Sequence, residues 1–284
     1  MSLSVLKDIR KIYAGLNAHE VRAAASQELR VGLLASSGGV FRDMEDFLAP
    51  PHLDAATRGQ SLRMVYRLDK PHKDFDVILC EPGIGLPRNG YLFDPVGSVG
   101  ADESMVEAIV AENQAIELAL GRSFPAFRTA VVHRIVTRVS RENALLALAT
   151  ALPNVIPGII ELPWAVGEFA TDTAFLTMNQ IRMALMLAAV YDRPVGYVEQ
   201  KASIAAIAAG AFGWRAIARE LVGKIPLGGG LIPKAAVAYA GTWVVGNGLE
   251  RLYRTGLGPS RHEKRESWKN ALSEGREVAI ELRP

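Results

Sequence analysis

The chain opens with apolar residues at helical spacing and then changes period. The spacing over residues 3–28 predicts one or two helices. The short apolar run over 29–34, Leu-Arg-Val-Gly-Leu-Leu, is typical of a buried strand. Small residues over 35–39 predict a turn, and helical spacing resumes over 41–48 until the prolines at 50–51 end it.

Two further segments are candidate strands. Apolar residues alternate with arginines over 61–68, and a mostly apolar run covers 75–80. Together with the first strand and its helix, these segments predict a small α/β unit whose strands need helical cover on both faces. The following stretch, 84–100, is rich in glycine and proline, so it predicts a long irregular loop and a domain boundary.

After residue 100 the pattern is helical almost to the end. Asp102 is a candidate N-cap for the first of these helices. The segment over 174–191 is apolar on nearly every side, which is typical of the central helix of a bundle. A short edge strand or a loose end is expected over 278–282. The predicted helices cover 102–120, 125–152, 163–191, 198–222, 234–255 and 261–274.

This succession predicts an α+β fold that is mostly α, in which a small N-terminal α/β unit precedes an α-helical bundle. At 284 residues, the chain is long enough to bury a sizeable core without disulfides. The expected domains are 1–100 for the N-terminal helices and α/β unit, 101–260 for the helical bundle, and 261–284 for a charged C-terminal helix or tail.

Charge and cysteine content narrow the classes of function. The net charge is +2 and charges of both signs are interspersed, so no nucleic-acid partner is expected. Cys80 is the only cysteine, which excludes an intrachain disulfide and favours a reducing compartment. Residues 1–14 carry several charges and no continuous apolar stretch, so no signal peptide is predicted. These features favour a cytoplasmic location, including the inner face of a membrane.

One stretch raises the question of a membrane span. Residues 225–249 carry Lys234 as their only charge and are long enough to cross a bilayer. However, three glycines and Pro233 interrupt the first third of the stretch. The apolar segment before it, 202–222, carries three charges, each of which costs about 2.5–3.5 kcal/mol at mid-span. Burial in a helical core is therefore favoured, and a membrane hairpin over 202–249 is the alternative.

Several short segments of the C-terminal half stand in a recognisable order and spacing over about 154–256. They are Ile156-Pro157-Gly158, Met178 to Met183 (Met-Asn-Gln-Ile-Arg-Met), Ala188 to Tyr191, Ile225-Pro226 to Pro233, and Ala235 to Gly246 with Thr242. Their order resembles domain-of-unknown-function family 697, which occurs in bacterial YcjF-type membrane proteins and behind Era-like GTPase domains. The resemblance implies a helical fold and a setting near GTPases or membranes, but no reaction.

The same resemblance makes the first strand and turn a candidate GTPase phosphate loop. An intact loop reads G-x-x-x-x-G-K-[S/T], because its lysine reaches the phosphates and its hydroxyl holds magnesium. Residues 35–42 read Ala-Ser-Ser-Gly-Gly-Val-Phe-Arg, so Phe41 or Arg42 stands where the lysine would be. Cys80, followed by Glu81, replaces the aspartate of D-x-x-G, and no N-K-x-D occurs. The resemblance therefore implies a degenerate or truncated GTPase-like unit.

The turn after the first strand is the first candidate site. Its small and hydroxyl residues could form an anion-binding or nucleotide-binding nest at a helix N-terminus. The alternative is a tight turn in which a serine caps the helix. The four candidate residues are Ser36, Ser37, Gly38 and Gly39. No catalytic residue, metal site or cofactor is predicted, since the five histidines are scattered along the chain.

Polar stripes on two of the predicted helices form the second candidate site. An acidic and amide stripe lies on the helix 163–191, and a basic stripe lies on the helix 125–152. Facing each other, the stripes would form an inter-helix polar site that binds a cation or gates a conformational change. The alternative is two part-solvated stripes that set helix register. The residues are Glu168, Asp172 and Asn179 on one helix and Arg134, Arg138 and Arg141 on the other.

These observations predict a non-catalytic scaffold or adaptor whose helical domain binds a partner protein or a membrane surface. A degenerate nucleotide-binding switch without hydrolysis is the first alternative, although the missing phosphate-loop lysine makes a nucleotide partner unfavoured. An integral membrane protein with a hairpin over 202–249 is the second. The apolar residues also allow a homo-oligomer.

Overall fold

The computed structural model describes residues 18–70, 74–94, 101–149, 168–207 and 231–282. The chain divides into two compact units. The first, here called the sheet unit, comprises residues 22–133 together with 189–192. The second, the helical unit, comprises the described residues of 134–188 and 193–284 together with 18–21. The described residues are mostly helical and carry one small parallel sheet, so the predicted α+β, mostly α class is confirmed.

A four-stranded parallel sheet organises the sheet unit. Its strands are β1 (Val31–Leu34), β2 (Val65–Leu68), β3 (Val77–Cys80) and β4 (Gly90–Leu92), in the spatial order β2-β1-β3-β4. In the ladder, Val31 aligns with Val65 on one side and with Val77 on the other. Every residue of β1 and β3 is buried, as their continuous apolar runs predict for central parallel strands.

The other two strands correct the sequence prediction. The predicted strand over 61–68 begins only at Val65, because Ala55–Leu62 forms a helix. Asp54 caps that helix, since its carboxylate accepts hydrogen bonds from the backbone N–H groups of Ala56 and Thr57, at 3.1 and 3.0 Å. Within the predicted irregular loop, Gly90–Leu92 pairs with β3 and forms an edge strand. So short an edge strand carries no apolar alternation that sequence analysis could detect.

Five α-helices are described in the sheet unit or begin at its border: α1 (Ala18–Ala25), α2 (Gly38–Leu48), α3 (Ala55–Leu62), α4 (Ala101–Glu112) and α5 (Glu117–Ser123). The single helix predicted over 102–120 is wrong, since a break at Asn113 and a 3₁₀ turn separate α4 from α5. The Asn113 amide donates to the Ile109 carbonyl at 2.9 Å, which ends α4. Asp102 lies in the first turn of α4 rather than at its N-cap, because the helix begins at Ala101.

Long helices form the helical unit. They are α6 (Pro125–Ala149), whose residues from 134 onward belong here, α7 (Glu168–Val190), a helical segment over 201–207, α8 (Leu231–Thr255) and α9 (Arg261–Glu281). Pro233 is tolerated because it stands in the first turn of α8, where its missing N–H has no intrahelical partner to lose. The start of the helix predicted at 163, and most of the one predicted over 198–222, lie outside the described residues.

Residues 278–282 form neither the short edge strand nor the loose end that the sequence predicted. Residues up to Glu281 continue α9, which begins at a capping box formed by Ser260 and Glu263. Ala271, Val278 and Ala279 are buried along one side of this helix, so its apolar stripe packs in the core of the unit. Ala271, Gly275 and Ala279 are spaced four residues apart, so they lie on one face of the helix. This spacing is not visible in residues 278–282 alone, where only a strand pattern was looked for.

Close packing joins α8 to α9. Gly275 lies directly against the backbone of Ala236, and Tyr239 donates a hydrogen bond to Glu274 at 2.6 Å. Tyr239 is completely buried and stacks on Trp243 with ring centroids 5.9 Å apart. The pair of helices therefore meets at a contact in which backbone, ring and carboxylate leave no room for a larger side chain at residue 275.

Within the ranges that the structure describes, no helix combines the length and the apolar character needed to cross a bilayer. The predicted membrane hairpin over 202–249 includes residues 208–230, which lie outside those ranges.

Candidate functional site

The order of the strands locates a crevice at one edge of the sheet. From β1 the chain winds outward to β2 on one side and to β3 and β4 on the other, so the winding direction reverses between β1 and β3. In open α/β sheets, ligands bind outside the carboxyl ends of the strands at such a reversal. The residues at this position are the Ser36–Gly39 turn after β1 and Glu81 after β3. This switch-point crevice is the first candidate site.

The structure places all four predicted turn residues together on an exposed surface at the start of α2. Ser37 is the N-cap, and its Oγ accepts a hydrogen bond from the Val40 N–H at 3.3 Å. Gly38 and Gly39 open the helix, and a methyl group at Gly38 would meet no atom within 4 Å. The helix start is therefore capped and open to solvent, as the turn interpretation of the sequence predicts.

A carboxylate of the chain itself binds this turn. Glu81 Oε2 accepts a hydrogen bond from the Ser36 N–H at 2.5 Å. The backbone N–H and the hydroxyl of Ser36 lower the pKa of Glu81 because both donate to its ionised form. Near neutral pH a negative charge therefore lies at the amide that an anionic ligand would need.

Sequence analysis missed this role of Glu81. The residue was noticed only as the neighbour of Cys80 in the place of the GTPase aspartate. Its contact with Ser36 depends on the register of β1 and β3, in which Leu34 aligns with Cys80, so that the residues following the two strands meet. Because β1 and β3 are buried on both faces, their sequences carry no alternation from which that register could be predicted.

Neither Cys80 nor a metal cluster adds chemistry to the crevice. Burial raises the pKa of the Cys80 thiol to about 11, so the thiol stays protonated near neutral pH and is a poor nucleophile. Across the described ranges, no group of three or more His, Cys, Asp or Glu side chains is arranged to hold a metal ion.

The second candidate site is a buried polar network shared by α6, α7 and α8, centred on the Thr242 hydroxyl. Thr242 Oγ1 donates to the Ala238 carbonyl at 2.8 Å, and it accepts from the Asn143 amide at 2.7 Å and from the Gln180 amide at 3.2 Å. Asn143 and Thr242 are completely buried, and Gln180 is 6% exposed. One hydroxyl thus links three helices.

The network continues from this centre towards solvent. Asn143 Oδ1 accepts a hydrogen bond from the buried Asn179 amide at 2.9 Å. The same amide donates to Glu142 at 3.1 Å, and Glu142 pairs with Arg182 at 3.4 Å. The Arg182 and Glu142 side chains are 14% and 23% exposed, so this ion pair remains in contact with water.

The structure distributes the predicted inter-helix residues differently from the two facing stripes. Asn179 belongs to the network, whereas Arg141 forms a two-pronged ion pair with Glu281 of α9 at 2.6 and 3.1 Å. Arg134 and Arg138 lie on α6, and the buried Nε of Arg134 has no hydrogen-bond partner among the described residues. Glu168 and Asp172 begin α7, and their side chains are not described.

Sequence analysis missed most of the network. Its unpredicted members are Glu142, Asn143, Gln180, Arg182 and Thr242. The available signal was the presence of amide side chains inside otherwise apolar helices, because a buried amide requires a hydrogen-bonding partner. Thr242 carries no such signal, since an isolated threonine in a helix ordinarily bonds its own backbone.

Two further hydroxyls of α6 lie near the network in sequence but make no hydrogen bond. Thr137 Oγ1 and Ser140 Oγ are buried without a partner. They provide a contrast with Thr242, whose hydroxyl is fully engaged.

No family model, curated protein or solved structure matches this chain. The resemblance of residues 154–256 to family 697 therefore stays a prediction.

Proposed function

We propose that the chain is a non-catalytic scaffold or adaptor whose helical unit binds a partner protein or a membrane surface. In this proposal the sheet unit is a degenerate GTPase-like unit, and the protein acts in the cytoplasm or at the inner face of a membrane.

The observation that carries the proposal is the hydrogen bond between Glu81 and Ser36. The carboxylate uses the backbone donor nearest the switch point and adds a negative charge there. A di- or triphosphate would have to displace Glu81 and then overcome its repulsion at close range. Phe41 or Arg42 stands where an intact loop has its lysine. Phe41 contributes its backbone N–H, which donates to the Ser37 carbonyl at 3.2 Å, but no cationic side chain.

The polar network supports a scaffold role for the helical unit. Networks whose members are all engaged fix one arrangement of the helices, because any shift would leave buried donors or acceptors unpaired. The hydroxyl of Thr242 and the amide of Asn143 are engaged in this way across three helices. A bundle held in one arrangement presents a constant outer surface, which is what a docking platform requires.

A nucleotide-binding switch is the second candidate function. The parallel sheet and the capped start of α2 at the switch point favour it, because this is where nucleotides bind in open α/β sheets. In this case a nucleotide would bind only after Glu81 moved away from Ser36.

Titration with GTP or GDP in the presence of magnesium separates the two functions. We expect the melting temperature of the wild-type chain to remain unchanged at millimolar nucleotide, because Glu81 competes for the Ser36 amide. A ligand that binds only the folded state raises stability in proportion to the logarithm of its concentration, so even weak binding would be visible. A saturable rise in melting temperature would contradict the scaffold proposal and favour the switch.

Two variants test whether Glu81 is what keeps anionic ligands from the Ser36 amide. Glu81→Ala frees the Ser36 amide, and we expect this variant to gain weak binding of pyrophosphate. Asp69→Asn is the matched control, since it removes an exposed acid directly after β2 at the same edge of the sheet. If both variants gain equal binding, the effect is only a change in overall charge.

Cell fractionation tests the binding surface. We expect the full chain in the soluble fraction, or on membranes from which high salt releases it, because charged and polar contacts to a surface are screened by salt. Retention that only detergent reverses would contradict the proposal and favour the membrane hairpin over 202–249.

A further inference from the structure

A small cavity, half open to solvent, lies in the helical unit between the end of α8 and the start of α9. Its volume is about 200 Å³, enough for a tetrahedral oxyanion with bound water. Asn247, Arg251 and Arg254 line it from one face of α8, at spacings of four and three residues. Lys264 and Ser267 line it from one face of α9.

Each of the two carboxylates that line this cavity is engaged by an arginine. Both oxygens of Glu263 are occupied, one by the Ser260 N–H at 2.8 Å and the other by Arg251. Glu250 accepts from Arg254 at 2.6 Å. The Ser260 hydroxyl and N–H and the Arg251 guanidinium lower the pKa of Glu263 to about 2, so its proton does not become available as a donor at neutral pH.

Several other groups of the lining that can donate hydrogen bonds, in contrast, have no partner among the described residues. The side chains of Asn247, Lys264 and Ser267 form no hydrogen bond or ion pair with any residue that the structure describes. The Nε of Arg251 is buried and has no partner. Arg251, Arg254 and Lys264 carry three positive charges against the two negative charges of Glu250 and Glu263, so the lining has an excess of one positive charge. Unused donors with excess positive charge match an anionic acceptor.

We propose that this cavity binds a small oxyanion, a phosphate or phosphomonoester group, through Lys264, Ser267 and Asn247. The group belongs either to a dissolved metabolite or to a lipid headgroup. This cavity belongs to the helical unit, whereas the switch-point crevice belongs to the sheet unit. The proposal is independent of the proposed scaffold function, so either can fail without the other.

Titration of the full chain with inorganic phosphate at low salt is the direct test. We expect saturable binding to the wild type. Lys264→Gln should weaken it about tenfold, because a charge-assisted hydrogen bond to an anion is lost. Lys269→Gln is the matched control, since it removes an exposed lysine of the same helix that does not line the cavity, and it should bind as the wild type does.

Folding and binding effects can be separated in the same set of variants. Lys264 has no partner in the described structure, so Lys264→Gln should melt at the wild-type temperature. Gly248→Leu tests the cavity itself, because its side chain would fill the space that Gly248 leaves open. Binding lost in Gly248→Leu and in Lys264→Gln, but kept in Lys269→Gln, supports the site.

Flotation with vesicles distinguishes the two sources of the anion. Vesicles of phosphatidylcholine with a minor share of phosphatidic acid are compared with vesicles of phosphatidylcholine alone. Binding to acidic vesicles that Lys264→Gln abolishes assigns a lipid headgroup, and binding to free phosphate alone assigns a dissolved ligand. The proposal is overturned if neither probe binds saturably, or if Lys264→Gln and Lys269→Gln lose binding equally.

Discussion

Replacing Thr242 with valine is expected to destabilise the helical unit by about 2–3 kcal/mol, because buried donors lose their acceptor. Valine has nearly the same shape and β-branching as threonine, so packing and helix propensity change little. The Gln180 amide, which is 6% exposed, would lose its bond to Thr242, and the Asn143 amide would keep only a long contact of 3.4 Å to the Leu176 carbonyl. The expected loss of stability comes from the amide donors of Asn143 and Gln180 that are left without this acceptor, and not from the removal of a hydroxyl as such.

Thr137→Val is the matched control for this experiment. It makes the same chemical change on α6, but it removes a buried hydroxyl that has no partner, so stability should stay the same or rise. The free energy of unfolding of both variants can be measured by urea denaturation followed by far-ultraviolet circular dichroism. Equal changes in the two variants would show that the network contributes no more than an isolated hydroxyl.

Replacing Gly275 with alanine is expected to destabilise the packing of α8 against α9 by about 1–3 kcal/mol, as overpacking of a tight contact does. The added methyl group would lie 2.8 Å from the Ala236 carbonyl oxygen and 3.0 Å from Tyr239 Cβ. Neither atom can move without shifting a whole helix, because one is backbone and the other is attached to it. This loss outweighs the gain of about 1 kcal/mol that alanine brings to a helix interior.

Gly248→Ala provides the comparison on α8. A methyl group there would lie 3.5 Å from the Pro259 ring, which is an ordinary contact, so helix propensity should make this variant equal to the wild type or more stable. Thermal and urea unfolding of the two variants give the measurement. A Gly275→Ala variant as stable as Gly248→Ala would mean that α9 is not held at the distance from α8 described above.

The fold was predictable where burial alone determines the pattern. β1 and β3 are apolar along their whole length because both faces are covered, and their positions follow from that run. β2 and β4 lie at the edges of the sheet and are only partly buried, so the alternation that marked 61–68 extended wrongly into α3, and β4 gave no signal. The end of α9 was predicted as a short edge strand or a loose end, because five residues are too few to separate the strand period from the helix period.

The candidate sites were predictable only in their local parts. The Ser36–Gly39 turn and the cap formed by Ser37 follow from neighbouring residues. The bond from Ser36 to Glu81 joins residues 45 positions apart, and the bond from Asn143 to Thr242 joins residues 99 positions apart. Such pairs depend on strand register and helix packing, which cannot be read from the local residue pattern of a single sequence. Arg141 was identified as a polar helix residue, but its pairing with Glu281 required the course of α9.

The buried thiol of Cys80 can report how often the sheet unit opens. Its thiol is the only one in the chain, has no exposed surface and is held protonated, so a maleimide can react with it only after β3 is uncovered. The labelling rate under native conditions therefore follows the rate or the frequency of opening around this strand, without interference from other sulfhydryls. Ligands that close the switch-point crevice would slow this labelling, and ligands that stabilise only the helical unit would leave it unchanged.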